Sequence, residues 1–133
     1  MSATLARGYP NSHLLCPRNV FERVTLNAYA SVYVMAITTV PSVDEGRRIV
    51  RRLVDQRVVA CGNILPGATS IYRWKNAIEE TAEAVILLKT RVEKWDELKQ
   101  VLPTIHPYEV PELIVVPIMG GHKPYLDWLS AET

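Results

Sequence analysis

The sequence has only two cysteines among its 133 residues, Cys16 and Cys61, which are too few for a disulfide framework. It also lacks an excess of charge, because 15 basic side chains are balanced by 14 acidic ones. A chain this close to neutral offers no electrostatic attraction to nucleic acid or to an anionic membrane. No secretory signal pattern is present, so we expect a cytoplasmic protein with reduced thiols.

Motifs that mark common enzymes are also missing. The sequence contains no G-x-x-x-x-G-K-[ST], G-x-G-x-x-G, H-E-x-x-H, G-x-S-x-G or C-x-x-C pattern, and no catalytic function is predicted from motifs. One uncharged segment, residues 24–43, is long enough to span a bilayer. It contains Asn27, Pro41 and a β-branched middle, so we interpret it as a buried strand with its flanks rather than as a membrane span.

Residues 1–28 show no sustained hydrophobic period and are interrupted by glycine and proline. They carry three arginines and a single acid, Glu22, a composition that organelle transit peptides share. We interpret residues 1–28 as an irregular N-terminal extension and residues 29–133 as one domain. An organelle-targeting role for the extension stays open.

The periodicity of residues 29–133 predicts the order β-α-β-β-α-β followed by a short helix. Ser42 with Glu45 forms a capping box, and Thr90 with Glu93 repeats it before the second helix, which Pro103 is expected to end. The predicted elements are a strand at 29–39, a helix at 42–56, a hairpin at 59–90, a helix from about 92, a strand at 113–118 and a helix at 125–131. This order is that of a ferredoxin-like α+β sandwich.

The hairpin is the centre of this arrangement. We expect a short strand, a turn at Pro66-Gly67, a longer strand that carries Tyr72 and Trp74, and a polar loop longer than two residues after Trp74. Three of the four predicted strands are apolar on both faces, whereas two helices cover only one face of a sheet. We infer that the second face packs against other copies of the chain in a closed symmetric assembly.

Polar residues that could carry chemistry are concentrated in the segment 106–112. In an extended chain, His106, Tyr108 and Glu112 fall on one side, where an imidazole, a phenol and a carboxylate could bind a divalent ion or move a proton. The segment could equally be a proline-stiffened connector whose polar groups satisfy its own backbone, and both interpretations stay open.

Four further residues have two interpretations each. Cys61 is either a metal-binding thiolate or a small buried hydrophobe, and Lys89 is either a strand-end lysine in water or a functional cation in a pocket. Tyr72 and Trp74 share one face of the hairpin, where they line a pocket between subunits or fill the interface.

Several of these segments resemble the CutA divalent-cation tolerance proteins, notably residues 60–63 (ACGN), 69–74 (TSIYRW), 106–112 (HPYEVPE) and 125–128 (YLDW). The resemblance implies a ferredoxin-like homotrimer whose sheets pack around a threefold axis, with a shallow ligand pocket between subunits. It places six residues near that pocket: Cys61, Trp74, Lys89, His106, Tyr108 and Glu112.

The resemblance also implies a non-enzymatic binding or signalling module that responds to metal ions such as copper. Some bacterial members have a cysteine where Val40 stands here and a histidine where Ile105 stands. Soft copper sites combine thiolate and imidazole, and both of these positions are changed here. A metal would instead depend on His106 and Glu112, with Cys61 as a third candidate ligand. The alternatives are a trimeric scaffold that anchors a protein partner, and an enzyme in which His106 acts as acid or base while Lys89 or Tyr108 stabilises charge.

Overall fold

The computed structural model describes residues 32–133, which form an antiparallel sheet with strand order β2-β3-β1-β4 and three α-helices. The predicted extension 1–28 and the start of the predicted first strand lie outside these residues. The elements are β1 (Tyr33–Val40), α1 (Val43–Asp55), β2 (Cys61–Trp74), β3 (Ala77–Arg91), α2 (Trp95–Ile105), β4 (Ile114–Ile118) and α3 (Lys123–Ala131). The predicted α+β class and element order are confirmed.

Helix α1 begins where the first capping box predicts. The Ser42 side chain accepts a hydrogen bond from the backbone N–H of Glu45 at 3.2 Å, which satisfies one of the free donors of the first turn. Ile49 and Leu53 are directed into the core, while Arg48 pairs with Glu45 on the solvent side. The amphipathic stripe thus fixes which face of α1 meets the sheet.

The hydrophobic core lies between the sheet and the helices α1 and α2. Alternate residues of β1 and β3 face the helices, as the two-residue period of a strand requires. The central members of this core are Ala36, Val40, Ile49, Leu53, Ala84, Ile86, Leu88, Leu98 and Leu102. Full burial of each large aliphatic side chain contributes about 1.5–3 kcal/mol.

The hairpin differs from the prediction at both of its turns. Pro66 and Gly67 do not form a turn, because β2 runs through them with a bulge between Leu65 and Ala68. The far turn is not a longer loop, because Trp74 pairs with Ala77 and only two residues connect them. Both turn residues have positive φ, 48° at Lys75 and 66° at Asn76, and this combination matches the twist of the flanking strands without an Asn-Gly pair.

The second helix also begins and ends differently from the prediction. Thr90 is part of β3 and donates its hydroxyl hydrogen bond to the Val58 carbonyl at 2.7 Å, so it does not cap a helix. A 3-10 turn, Val92–Lys94, leads into α2 instead. Pro103 lies inside α2, and the helix continues to Ile105. Leu102 and Ile105 are buried on either side of Pro103, so the last turn still packs against the core.

The other side of the sheet carries a largely apolar surface, which we call the open face. It consists of Met35, Ile37, Leu65, Val85, Leu87, Ile114 and Val116, all of which keep some exposure. Helix α3 lies over one end of it, where the Tyr33 hydroxyl is 2.6 Å from the Ser130 hydroxyl and Arg91 donates to the Thr133 carbonyl. Within residues 32–133, no other element covers the rest of the open face.

Gly62 marks the close approach of α1 to β2. A Cβ at this position would lie 2.8 Å from both γ-methyl carbons of Val50 and 3.1 Å from Leu88. We expect Gly62→Ala to lower the free energy of unfolding by about 1–3 kcal/mol, measured by guanidinium denaturation. Adding Val50→Ala should restore part of the loss, whereas Gly120→Ala, with no atom within 4 Å, serves as the control. Equal midpoints for the two glycine variants would contradict the prediction.

Candidate functional site

A cavity of about 580 Å³ lies between the outer half of the hairpin and the segment that connects α2 to β4. This volume is within the range of small-molecule sites. Three carboxylates and three aromatic rings contribute to its wall: Glu83, Glu109, Glu112, Tyr72, Trp74 and Tyr108. Thr39, Ser70, Ile71 and Val110 complete the lining.

The outer half of the hairpin, residues 68–83, is a two-stranded projection that we call the hairpin arm. Strand β1 pairs with β3 only from Ala84 onwards, and within residues 32–133 no third strand pairs with the arm. Ile71 and Ile78 on the arm are 66% and 68% exposed. A two-stranded hairpin is marginally stable by itself, so the arm needs further contacts to hold its side of the cavity.

The most buried charge in the cavity wall belongs to Glu83, which is only 8% exposed. The hydroxyl of Tyr108 donates a hydrogen bond to its Oε2 atom at 2.6 Å. Burial, together with this bond and the charge of Glu83, raises the pKa of Tyr108 well above its usual value. The phenol therefore keeps its proton at neutral pH and holds Glu83 in place.

His106 lies directly behind this pair, buried at the end of α2. Its Nε2 is 2.9 Å from the Thr39 carbonyl and 3.3 Å from the Thr38 hydroxyl, and its Nδ1 accepts the backbone N–H of Tyr108 at 3.1 Å. Because Nδ1 accepts, the proton of the neutral ring is on Nε2 and is donated to Thr39. Burial lowers the pKa of His106 from 6.5 and outweighs the opposite effect of the bond to Thr39.

These contacts bear on the metal ligands predicted from the sequence. Both ring nitrogens of His106 already make hydrogen bonds, and Glu112 lines the cavity without a contact to the ring. Within residues 32–133, no group of three His, Cys, Asp or Glu side chains is placed to hold a metal ion. In this arrangement the residues do not fit a metal centre, and copper binding by His106 and Glu112 stays a prediction.

The six site residues predicted from the sequence separate into two groups in the single chain. Trp74, Tyr108 and Glu112 line the cavity, and His106 supports it from behind. The remaining two, Cys61 and Lys89, are paired across β2 and β3 on the open face, away from the cavity lining.

Cys61 and Lys89 have partners of their own. The Cys61 thiol lies 3.6 Å from the Tyr125 hydroxyl, and this contact and burial raise the pKa of Tyr125 to about 12. Lys89 donates a hydrogen bond from Nζ to Asn63 Oδ1 at 2.6 Å. The single chain therefore does not bring these two residues to the cavity.

Sequence reasoning missed Glu83, the most buried carboxylate of the site. Strand alternation contained a usable indication, because Glu83 has the same parity as Val85 and Leu87 and so belongs to the same side of β3. The contact with Tyr108 was not predictable, since 25 residues separate the two positions and the chain folds back between them.

The four-stranded antiparallel sheet and the three α-helices of residues 32–133 define a mixed α+β protein. Residues 34–132 match the family described as CutA1 divalent ion tolerance protein, and the chain belongs to this family. None of the helices within residues 32–133 has the length and hydropathy needed to cross a membrane.

Relatives in bacteria, animals and plants support this assignment. The chain is 43% identical over 99 residues to the divalent-cation tolerance protein CutA of Thermus thermophilus, covering 74% of this chain and 96% of that one. It is 42% identical over 95 residues to a CutA homolog of Xenopus laevis, covering 71% of this chain. The chain spans only 63% of the Xenopus protein and 56% of a chloroplastic CutA of Oryza sativa, to which it is 36% identical.

Solved structures agree with the fold. The Thermus thermophilus divalent cation tolerance protein superposes with a TM-score of 0.73 at 42% identity, over 76% of this chain and 98% of that one. The CutA1 protein of Shewanella sp. SIB1 gives a TM-score of 0.75 at 36% identity, over 79% and 98%. The predicted family resemblance is thereby confirmed.

Proposed function

We propose that this chain is a non-enzymatic, homotrimeric binding module that takes a small ligand in the cavity beside Glu83 and acts in the cytoplasmic response to divalent cations. The observation that carries the proposal is the Glu83–Tyr108 pair in the wall of a cavity of about 580 Å³. A buried carboxylate held by a hydrogen bond and flanked by aromatic rings is a typical arrangement for orienting a ligand. The link to divalent cations comes from the family.

Two surfaces of the single chain support the trimer. The open face contains Ile114, 52% exposed, and Val116 beside it, and no helix of residues 32–133 covers this part. The hairpin arm exposes Ile71 and Ile78, and no third strand of the described part of the chain lies beside it. Contiguous apolar surfaces of this kind mark association sites. A closed trimer would cover both surfaces and stabilise the arm that bounds the cavity.

The hydrogen bonds around His106 favour binding over catalysis. A general base needs a free nitrogen that reaches the substrate, whereas both nitrogens of His106 bond to the protein. The raised pKa of Tyr108 makes its hydroxyl a stable donor to Glu83 rather than a base. These groups are therefore suited to shaping a site.

A second candidate is direct binding of a divalent cation such as copper by His106 and Glu112. It is favoured by the family and by the position of Glu112 in the cavity wall. For His106 to become a ligand, its ring would have to give up the bond to Thr39 or the bond from Tyr108. Copper titration of reduced, chelator-stripped protein measures this directly, with His106→Gln as the comparison.

The proposed function is tested by light scattering and by a fragment screen on ¹⁵N-labelled protein. We expect a mass of three chains, and fragments that shift the amide signals of residues 108–112 and the hairpin arm. The screen should contain anionic, neutral and cationic fragments, so that it presupposes no ligand class. A trimer that binds neither fragments nor copper would contradict the binding function and favour the scaffold alternative.

A further inference from the structure

The cavity beside Glu83 is acidic, and its charge is unbalanced. Glu83, Glu109 and Glu112 line it, and within residues 32–133 no lysine, arginine or histidine does so. Glu83 is the informative member, because it is nine-tenths buried and its partner is the neutral hydroxyl of Tyr108. Only Oε2 of Glu83 makes a hydrogen bond within the described residues. A buried carboxylate is costly unless a cation or several donors compensate its charge.

The aromatic rings of the cavity wall also suit a positively charged ligand. Tyr72, Trp74 and Tyr108 line the cavity with the carboxylates, and aromatic faces attract cations through their quadrupoles. The Lys75 ammonium lies 5.8 Å from the centroid of the Trp74 ring, which is within the distance of a cation–π contact.

The distribution of these groups favours an organic cation over a metal ion. A metal needs several ligands that converge on one point, and the described residues contain no such group. The carboxylates are instead spread over a cavity whose lining also includes the aliphatic residues Ile71 and Val110. An alkyl chain with a terminal ammonium group would place its methylenes on this apolar wall and its charge at Glu83.

We propose that the cavity binds the protonated amino group of an aliphatic amine, with Glu83 as the main charge partner and Trp74 as the aromatic wall. This inference rests on the proposed binding function and names its ligand class. A second amino group, as in a diamine, would reach Glu109 or Glu112, which are the more exposed carboxylates of the wall.

A matched set of five-carbon probes tests this proposal by calorimetry on the 133-residue chain: 1,5-diaminopentane, 1,5-pentanediol and glutarate. We expect saturable binding of the diamine, and no binding of the neutral or the anionic probe. Glu83→Gln keeps the size of the side chain and an acceptor for Tyr108, and it should weaken diamine binding at least about tenfold. Glu112→Gln, at an exposed carboxylate, should weaken it by about two- to threefold.

The matched control is Glu80→Gln, which removes the same charge from the same strand. Glu80 is exposed, is absent from the cavity lining and has the opposite strand parity to Glu83, so diamine binding should be unchanged. The fold and assembly of each variant are checked by circular dichroism and light scattering. If Glu80→Gln and Glu83→Gln lose diamine affinity equally, the effect comes from the net charge of the protein alone. This result would overturn the proposal.

Other outcomes separate this proposal from the function on which it rests. Binding of glutarate or pentanediol without the diamine would overturn the amine proposal and leave the binding function intact. A neighbouring copy could also supply the cation through a lysine or arginine side chain. If the diamine does not bind and Glu83→Gln has a smaller assembled mass, the cation beside Glu83 comes from a neighbouring copy of the chain. This outcome would overturn the proposal of a free amine.

Discussion

Ile37→Glu is expected to convert the proposed trimer into monomers. Ile37 lies in the middle of the open face, on the central strand β1, opposite Leu87 on one side and Ile114 on the other. In the single chain it is only partly buried, so a glutamate can reach water and the protomer should still fold. In an assembly that covers the open face, the same carboxylate would be buried without a partner, once in every subunit.

The expected effect is large because desolvating an unpaired charge costs several kcal/mol. We expect the dissociation constant of the assembly to rise at least about a thousandfold, which corresponds to about 4 kcal/mol. Light scattering over a range of protein concentrations measures this change. Val54→Glu, at an exposed position of α1, is the matched control and should leave the mass unchanged. An assembled mass retained by Ile37→Glu would show that the open face is not the interface.

His106→Ala is expected to lower the free energy of unfolding by about 3–5 kcal/mol. The substitution removes a buried ring, and it leaves the Thr39 carbonyl and the Tyr108 backbone N–H without their partners. Truncation of a large buried side chain to alanine costs about 2–5 kcal/mol, and a buried polar group left without its partner costs about 1–3 kcal/mol. Guanidinium denaturation at a fixed chain concentration measures the loss, because assembly also contributes to stability.

The comparison variant is His122→Ala. His122 is exposed before α3 and does not cap it through its side chain, so this variant should change stability by less than about 0.5 kcal/mol. His106→Ala should also loosen the segment that carries Tyr108, and diamine affinity should fall with it. Similar stabilities for the two histidine variants would contradict a structural role for the His106 hydrogen bonds.

The His106 ring also makes the free energy of unfolding decrease as the pH falls. Because burial lowers the pKa of His106 below 6.5, the unfolded chain binds a proton at a pH where the folded protein does not. The contribution of His106 is therefore fully present above about pH 7, decreases as the pH falls through 6.5, and levels off below the lowered folded pKa. His106→Gln, which cannot titrate, should show a smaller loss of stability between pH 8 and pH 5 than the wild type.

Local interactions along the chain are sufficient to determine helix α1. The Ser42 capping box and the apolar stripe of α1 act through neighbours three or four residues apart, so the sequence determines them. The capping box at Thr90 fails because β3 continues along β1 and includes Thr90 in the ladder. The predicted longer loop after Trp74 is wrong for a related reason. The pairing of Trp74 with Ala77 imposes a two-residue turn despite the weak turn preference of Lys75.

The element order, the α+β class and the membership of the CutA1 family follow from the sequence alone. All of these depend on periodicity and on contiguous motifs. Only the tertiary structure decided that Tyr108 bonds to Glu83 and that His106 directs both nitrogens to the protein. It also separated Cys61 and Lys89 from the cavity. The physical reason is that partners distant in the chain meet only through packing, which no local pattern encodes.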